Sequence, residues 1–334
     1  MTKLGHIVDM CSPIGPEIRR GYPWLINRLG GVGILYYWYK ANRFIRDNHH
    51  KYDIIILHNP FIFLPLENKR VYVVVHTTYL HMFKEILHRR VQLYPYYLFM
   101  ILVEKWSFFC LKEFQYIVTS PKTIKDLESF GIKKDIPIIF NGVKLQNLRT
   151  ITTPVEYQHL NKDDKVFLNV CRFVEQKNLL NLIKTFIFLP NNYKLFLVGD
   201  GVLKDKLTSY VKDNNINNVF FTGRKIKNEL PNFYSKSHFF ISSSIYEGFP
   251  LVLSEAMGYG AIPCLSRIEI YSTIINECKC GVLLSFADPE ITATDIIKFV
   301  QNINLAEIKS NLVEYSKNNL LWETIIKQYL DVFI

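Results

Sequence analysis

Short apolar runs rich in Val, Ile, Phe and Tyr recur along this chain, each followed by a longer stretch of helical period. That alternation limits the fold more than any other feature. Runs of four to eight β-branched or aromatic residues read as strands, and strands separated by helices are joined by crossovers into parallel sheets. In the first half, strands are expected at 5–10 (GHIVDM), 52–58 (YDIIILH), 71–76 (VYVVVH), 115–120 (QYIVTS) and 136–142 (IPIIFNG). Helical pattern lies at 97–112 and 122–130, and 22–48 reads as one helical stretch interrupted by Gly30, Gly31 and Gly33. A second series follows: KVFLNVCRF, YKLFLVGDG, NVFFTGR, SHFFISSS, AIPCLS and CGVLLS, with helices expected at 178–189, 205–214 and 250–257. The expected organisation is a first domain at 1–143, a polar connector at 144–165, a second domain at 166–311, and a helical tail at 312–334 packing back on the first domain. Each domain is an α/β doubly wound sheet, and such sheets bind ligands at the carboxyl ends of their strands.

A length of 334 residues suits one large or two medium domains, and 49% apolar with 21% charged residues excludes a disordered chain. The first residues lack the apolar core of a secretory signal. The longest apolar run, 91–103, holds 13 residues, where a membrane span needs about 20. Six cysteines are scattered, and only Cys278 and Cys280 lie close together, with no second pair to complete a zinc site. Buried free thiols in a reducing cytosol are the expectation. Residues 1–142 carry 19 Lys/Arg against 11 Asp/Glu, whereas the remainder is nearly balanced. A basic half suits an anionic surface, whether a phospholipid leaflet, a lipid diphosphate or nucleic acid. Nothing resembling a zinc finger, RNP-like strand or basic helix repeat supports nucleic acid. An anionic membrane surface is the expected partner, with the protein cytoplasmic or peripheral on the cytoplasmic face.

Distinctive residues of the second half fall at strand ends. Arg172 and Lys177 flank the turn after NVCRFVEQKN; Gly199, Asp200 and Gly201 follow KLFLV; Gly223 and Arg224 follow VFFT. After FFISSS comes YEGFPLVLSEAMGYG, with Glu247 and Glu255 eight positions apart in apolar surroundings. Two cations at a strand-to-helix turn can converge on a diphosphate, each charge-assisted contact being worth roughly 1.5–3 kcal/mol. Pro250 suits the first position of a helix, whose free amides and positive dipole end welcome an anion beside Gly248 and Phe249. Carboxylates among apolar residues need partners. For Glu255 these are either sugar hydroxyls or a cation from a neighbouring helix.

The run from NVCRFVEQKN to AIPCLS resembles the retaining nucleotide-sugar glycosyltransferases of family 4, over about residues 166–284 and with the motifs in the family's order. The resemblance implies the GT-B fold, in which two Rossmann-like domains face a central cleft. It also implies roles. Arg172 and Lys177 would bind and neutralise the donor diphosphate, and Glu247 would contact hydroxyls of the transferred sugar. Gly248, Phe249, Pro250 and Leu251 would line the donor with backbone amides. Glu255 would hold the ribose, and Gly223 with Arg224 would lie near the nucleobase. In the first half, VVVHTTYLH resembles the family's strand ending in histidine, which makes His76 a contact to the donor sugar. MCSPIGPE takes the place of the glycine loop, offering Gly15. The family's usual second strand is absent, so the first domain is abridged. The remaining histidines, including His58, are read as surface or packing residues.

The reaction implied is transfer from a UDP- or GDP-linked sugar to a hydroxyl of a glycan or lipid-linked glycan, with retention at the anomeric carbon. No Asp-x-Asp occurs in the sequence, so no metal and no cofactor is expected, the cations and a helix amino terminus neutralising the leaving group. A front-face route is expected, since no carboxylate is evidently placed as a nucleophile. Other readings are a sugar-nucleotide epimerase, a phosphorylase, or a non-catalytic sugar-nucleotide-binding subunit. A nicotinamide oxidoreductase is disfavoured because no G-x-G-x-x-G follows a strand.

Overall fold

The computed structural model describes residues 5–10, 31–63, 70–86, 91–132, 135–146 and 150–333. The chain divides into two compact units, Met1–Phe140 and Asn141–Ile334.

In the first unit the described elements are α1 (Gly31–Asn48), β1 (Ile55–His58), β2 (Val71–Val75), α2 (Tyr79–Ile86), α3 (Tyr94–Cys110), β3 (Gln115–Val118) and α4 (Pro121–Ser129). The three strands form a parallel sheet in sequence order, Ile55 opposite Val71 and Val75 opposite Val118. Every residue of β2 is buried, which is why its valines run without polar alternation. Met100, Phe108, Leu111, Tyr116 and Leu127 close the core around it. Ser120 caps α4 by accepting from the Lys122 amide, and Pro121 occupies the first turn, where its missing N–H leaves nothing unpaired.

Two expected strands differ. Residues 6–10 form no strand and have no ladder partner among the described residues, and Ile7 is 98% exposed. An apolar run becomes a strand only when a neighbour accepts its backbone bonds. Residues 136–142 shrink to one bridge, Ile138 opposite Val118, because the pairing is confined to Val118, which donates to Pro137 and accepts from Ile139.

The second unit holds β4 (Lys165–Val170), α5 (Leu179–Ile187), β5 (Tyr193–Val198), α6 (Lys204–Asp213), β6 (Val219–Gly223), α7 (Leu230–Lys236), β7 (Phe239–Ser242), α8 (Leu251–Gly258), β8 (Ile262–Ser266), α9 (Glu269–Cys278), β9 (Val282–Leu284), α10 (Pro289–Asn302), α11 (Leu305–Asn319) and α12 (Trp322–Phe333). All six strands are parallel, in the order β6-β5-β4-β7-β8-β9. Stacked rings weld the middle: Phe167 on β4 and Phe239 on β7 lie 4.6 Å apart at 17°, both fully buried. Burying each such ring is worth roughly 1.5–3 kcal/mol. The final helices belong to this unit, tied by Val143 N–H to Leu320 O (2.8 Å) and Trp322 N–H to Val143 O (3.1 Å). Strand order reverses between β4 and β7. At such a point the two outgoing turns separate and leave a crevice at the carboxyl ends.

Candidate functional site

Both turns leaving the β4–β7 reversal are built to meet each other. After β4 the chain makes a single 3-10 turn, Glu175–Lys177, and Asn178 takes a left-handed conformation at φ 51° to start α5. Gln176 stitches this turn to the one after β7: its side-chain amide donates to Tyr246 O (2.8 Å) and its carbonyl accepts from Ile245 N–H (2.9 Å). Ser243 Oγ donates to Lys177 O (2.8 Å). The consequence is a direct ion pair, Lys177 Nζ to Glu247 Oε1 at 2.5 Å, with the side chains only 18% and 12% exposed. Tyr271, a fully buried residue of α9, points its hydroxyl at the same carboxylate (3.4 Å) and stands 2.8 Å from Ser242 Oγ. Burial holds that phenol protonated.

An ammonium has three donors. Glu247 occupies one in Lys177, leaving the others for an anion. Arg172, on the same turn, is exposed and has no side-chain partner among the described residues. The neighbouring Cys171 thiol is no nucleophile: burial pushes it up to about 12, and its sulfur donates to Asn169 Oδ1.

Glu255 sits on α8, one turn inside, and among the described residues its hydrogen-bond partner is a tyrosine, neither a lysine nor an arginine. Tyr234 of α7 donates to its Oε2 at 3.0 Å, and that ring stacks on Tyr259 at 6.0 Å and 13°. α8 begins at Leu251, so Pro250 is its cap and not its first residue. Pro250 supplies no side-chain cap, and among the described residues no side chain accepts from the first amides of the helix, which are left for other acceptors. Gly248 and Phe249 are half-buried on the approach to it. Gly223 ends β6 at φ 72°, with Arg224 exposed after it and close enough to Asp200 to lower that carboxyl. The larger causes of that lowering are the Gly201 amide and Lys204.

In the first unit His76 follows β2, and the structure gives it a partner that the sequence did not reveal. His58, ending β1, lies with Nδ1 3.0 Å from His76 Nε2, the rings stacked at 5.3 Å and 12°. The backbone N–H of His76 donates to Asn59 Oδ1 (2.8 Å), and Asn59 adopts φ 45°. Burial, and then the charge on His58, lowers His76 to about 4, so the imidazole is neutral at neutral pH. Adjacent parallel strands ending in histidine were the available signal for this pair. Gly15 lies outside the described residues.

The fold and this site define a two-unit parallel α/β protein with a cation–carboxylate pair at the switch point of its second sheet. Residues 155–319 fit the family described as "Glycosyl transferases group 1", and residues 1–147 fit "Glycosyltransferase Family 4". The chain belongs to the family-4 glycosyltransferases, and its fold is GT-B. It is 29% identical over 231 residues to an uncharacterized glycosyltransferase of Methanocaldococcus jannaschii, covering 66% of this chain and 59% of that protein. It is 31% identical over 169 residues to the N-acetylgalactosamine-N,N'-diacetylbacillosaminyl-diphospho-undecaprenol 4-alpha-N-acetylgalactosaminyltransferase of Campylobacter jejuni, covering 49% of this chain and 45% of that protein. The chain thus spans about half the length of these curated relatives. In fold it is similar to the sucrose-phosphate synthase of Thermosynechococcus elongatus, with a TM-score of 0.68 and 21% identity over 96% of this chain and 80% of that one.

Proposed function

We propose that this protein is a retaining, metal-independent glycosyltransferase, moving a sugar from a UDP- or GDP-linked donor to a hydroxyl of a glycan or lipid-linked glycan. The observation that carries the reading is the Lys177–Glu247 pair at the β4–β7 reversal, with the exposed Arg172 on the same turn. The donor diphosphate lies against Arg172 and the two remaining donors of Lys177, assisted by the free amides that open α8. Glu247, held by Lys177 and Tyr271, presents its second oxygen to hydroxyls of the transferred sugar. Glu255, oriented by Tyr234, takes the ribose, and Gly223 with Arg224 borders the base. His76, neutral, offers a hydrogen-bonding group and not a cation.

Transfer proceeds on the front face. The bond from the anomeric carbon to the phosphate oxygen breaks, the acceptor oxygen bonds to that carbon on the same side, and the departing phosphate takes the acceptor's proton. The protein's part is positioning and neutralisation of the charge that develops on the diphosphate. The Campylobacter relative is named for a diphospho-undecaprenol acceptor, which supports a lipid-linked acceptor here. Among the described residues no helix is long and apolar enough to cross a membrane. We place the enzyme at the cytoplasmic face, held by its basic first half.

The test is incubation of the purified protein with a panel of nucleotide sugars in the presence of a chelator, reading nucleotide release and the anomeric configuration of the product. Release in chelator, retention, and at least about a hundredfold loss in Lys177→Ala are expected. Wild-type turnover by Lys177→Ala overturns the diphosphate assignment, an inverted product overturns retention, and rescue by magnesium overturns metal independence.

A further inference from the structure

Helix α3 buries one side against the core, polar groups included, and is apolar on the side that it shows. Met100, Glu104, Ser107 and Phe108 face the core of the first unit. On the opposite face Leu98, Phe99, Leu102, Trp106 and Phe109 are each between 50% and 66% exposed. At 3.6 residues per turn, positions 98, 102, 106 and 109 fall on one stripe and 99 lies along its edge. A helix on the surface of a soluble domain ordinarily presents charged and polar residues there. Five large apolar side chains on one face form a patch of the kind that marks an interaction site.

The stripe is ordered and bordered by cations. The Trp106 indole N–H donates to Phe63 O (3.2 Å), which fixes the ring, and Phe109 lies 5.7 Å from it. Lys105 is exposed, and helical geometry puts it beside Leu102 and Phe109. Lys112 lies 5.5 Å over the Phe109 ring and 3.8 Å from the exposed Glu113. In the chain Arg89 and Arg90 precede the helix, and residues 1–142 carry 19 Lys/Arg against 11 Asp/Glu. Apolar and aromatic residues with lysines along one edge are the pattern of a helix lying in the headgroup layer of a bilayer. A second copy of the chain fits worse, because pairing two such faces would bring Lys105 and Lys112 against their own copies across a basic unit.

We infer that the outer face of α3 is the element by which this protein docks on an anionic lipid surface, its aromatic stripe entering the headgroup layer and Lys105 and Lys112 meeting lipid phosphates. The inference rests on the membrane placement proposed above and names the residues responsible.

The test is sedimentation of the full chain with vesicles of phosphatidylcholine alone and of phosphatidylcholine mixed with phosphatidylglycerol, at low and high salt. Binding to the mixed vesicles is expected, weakened by salt and at least about tenfold stronger than to the neutral ones, since each lysine near an anionic surface contributes about 1 kcal/mol. Leu98→Glu/Leu102→Glu should reduce binding at least about tenfold while thermal unfolding is unchanged, and Leu98→Gln/Leu102→Gln is the milder pair should the first fold poorly. Variants that pellet with vesicles as the wild type does overturn the inference. So does a dimer of the wild type that Leu102→Glu dissociates, without vesicle binding. Sugar transfer to a water-soluble acceptor is measured alongside. Transfer without vesicle binding removes the docking helix alone, and vesicle binding without transfer removes the glycosyltransferase reading alone.

Discussion

Lys177 and Glu247 each cancel a charge that their surroundings would otherwise make costly. Breaking such a pair by removing one partner leaves the other desolvated and alone, whereas replacing both is far milder. Lys177→Met should therefore lower unfolding free energy by about 1–3 kcal/mol, and Lys177→Met/Glu247→Gln by less than the single change. Urea denaturation of the two variants checks this, and a double variant weaker than Lys177→Met would contradict the coupling. The charged members of the candidate site were nameable from the sequence, since Arg172, Lys177 and Glu247 follow strand-like runs and Glu255 lies in the helix after one of them. Their partners were not. Tyr271 and Tyr234 stand 24 and 21 residues from the carboxylates that they serve, on helices whose tyrosines look like any other core aromatic.

At the scale of elements, the Gly199-Asp200-Gly201 turn does more than reverse the chain. Gly199 lies at φ 148°, and a Cβ there would come within 1.9 Å of Cys171 O, while Phe173 N–H donates to Asp200 O (2.8 Å). The turn after β5 thus supports the turn that carries Arg172. Gly199→Ala should destabilise by roughly 2–4 kcal/mol, the sum of a clash and an unfavourable backbone conformation. An alanine variant with the wild-type urea midpoint would show that the two turns do not touch. The sequence read this segment only as a turn, because the close approach belongs to a strand pair separated by a helix. The amino end of α2 holds a second hidden arrangement. Both oxygens of Glu104, a buried residue of α3, accept from Tyr79 N–H at 2.9 and 3.1 Å. Burial is the larger influence and pushes this carboxyl up to about 8. The folded form keeps its proton while the unfolded chain releases it above about 4.5, so stability falls as pH rises through 4.5–8. Glu104→Gln should remove that slope and raise the melting temperature relative to wild type at pH 8.

For the whole molecule, histidines act in the opposite sense. Burial lowers His58, His76 and His238, the last two to about 4, and His238 Nδ1 accepts from Val166 N–H. Below 6.5 the unfolded chain binds these protons and the folded one does not, so stability falls as pH drops from 6.5 towards 4. Two or more histidines outweigh the single opposing Glu104 below 6.5, and Glu104 alone acts from 6.5 to 8. Urea midpoints measured between pH 5 and 8 should therefore peak near 6.5. A monotonic profile would show that these groups do not set the pH response. By itself the sequence determined that two parallel sheets form and that its charged candidate residues gather at strand ends, because residue type and period decide which segments pair and which way they run. Tertiary structure alone decided whether 5–10 and 136–142 found ladder partners, which tyrosine answers which glutamate, that His58 meets His76, and which face of α3 stays uncovered. An apolar period states that a side chain resists water, whereas burial and partnership depend on what other segments bring alongside.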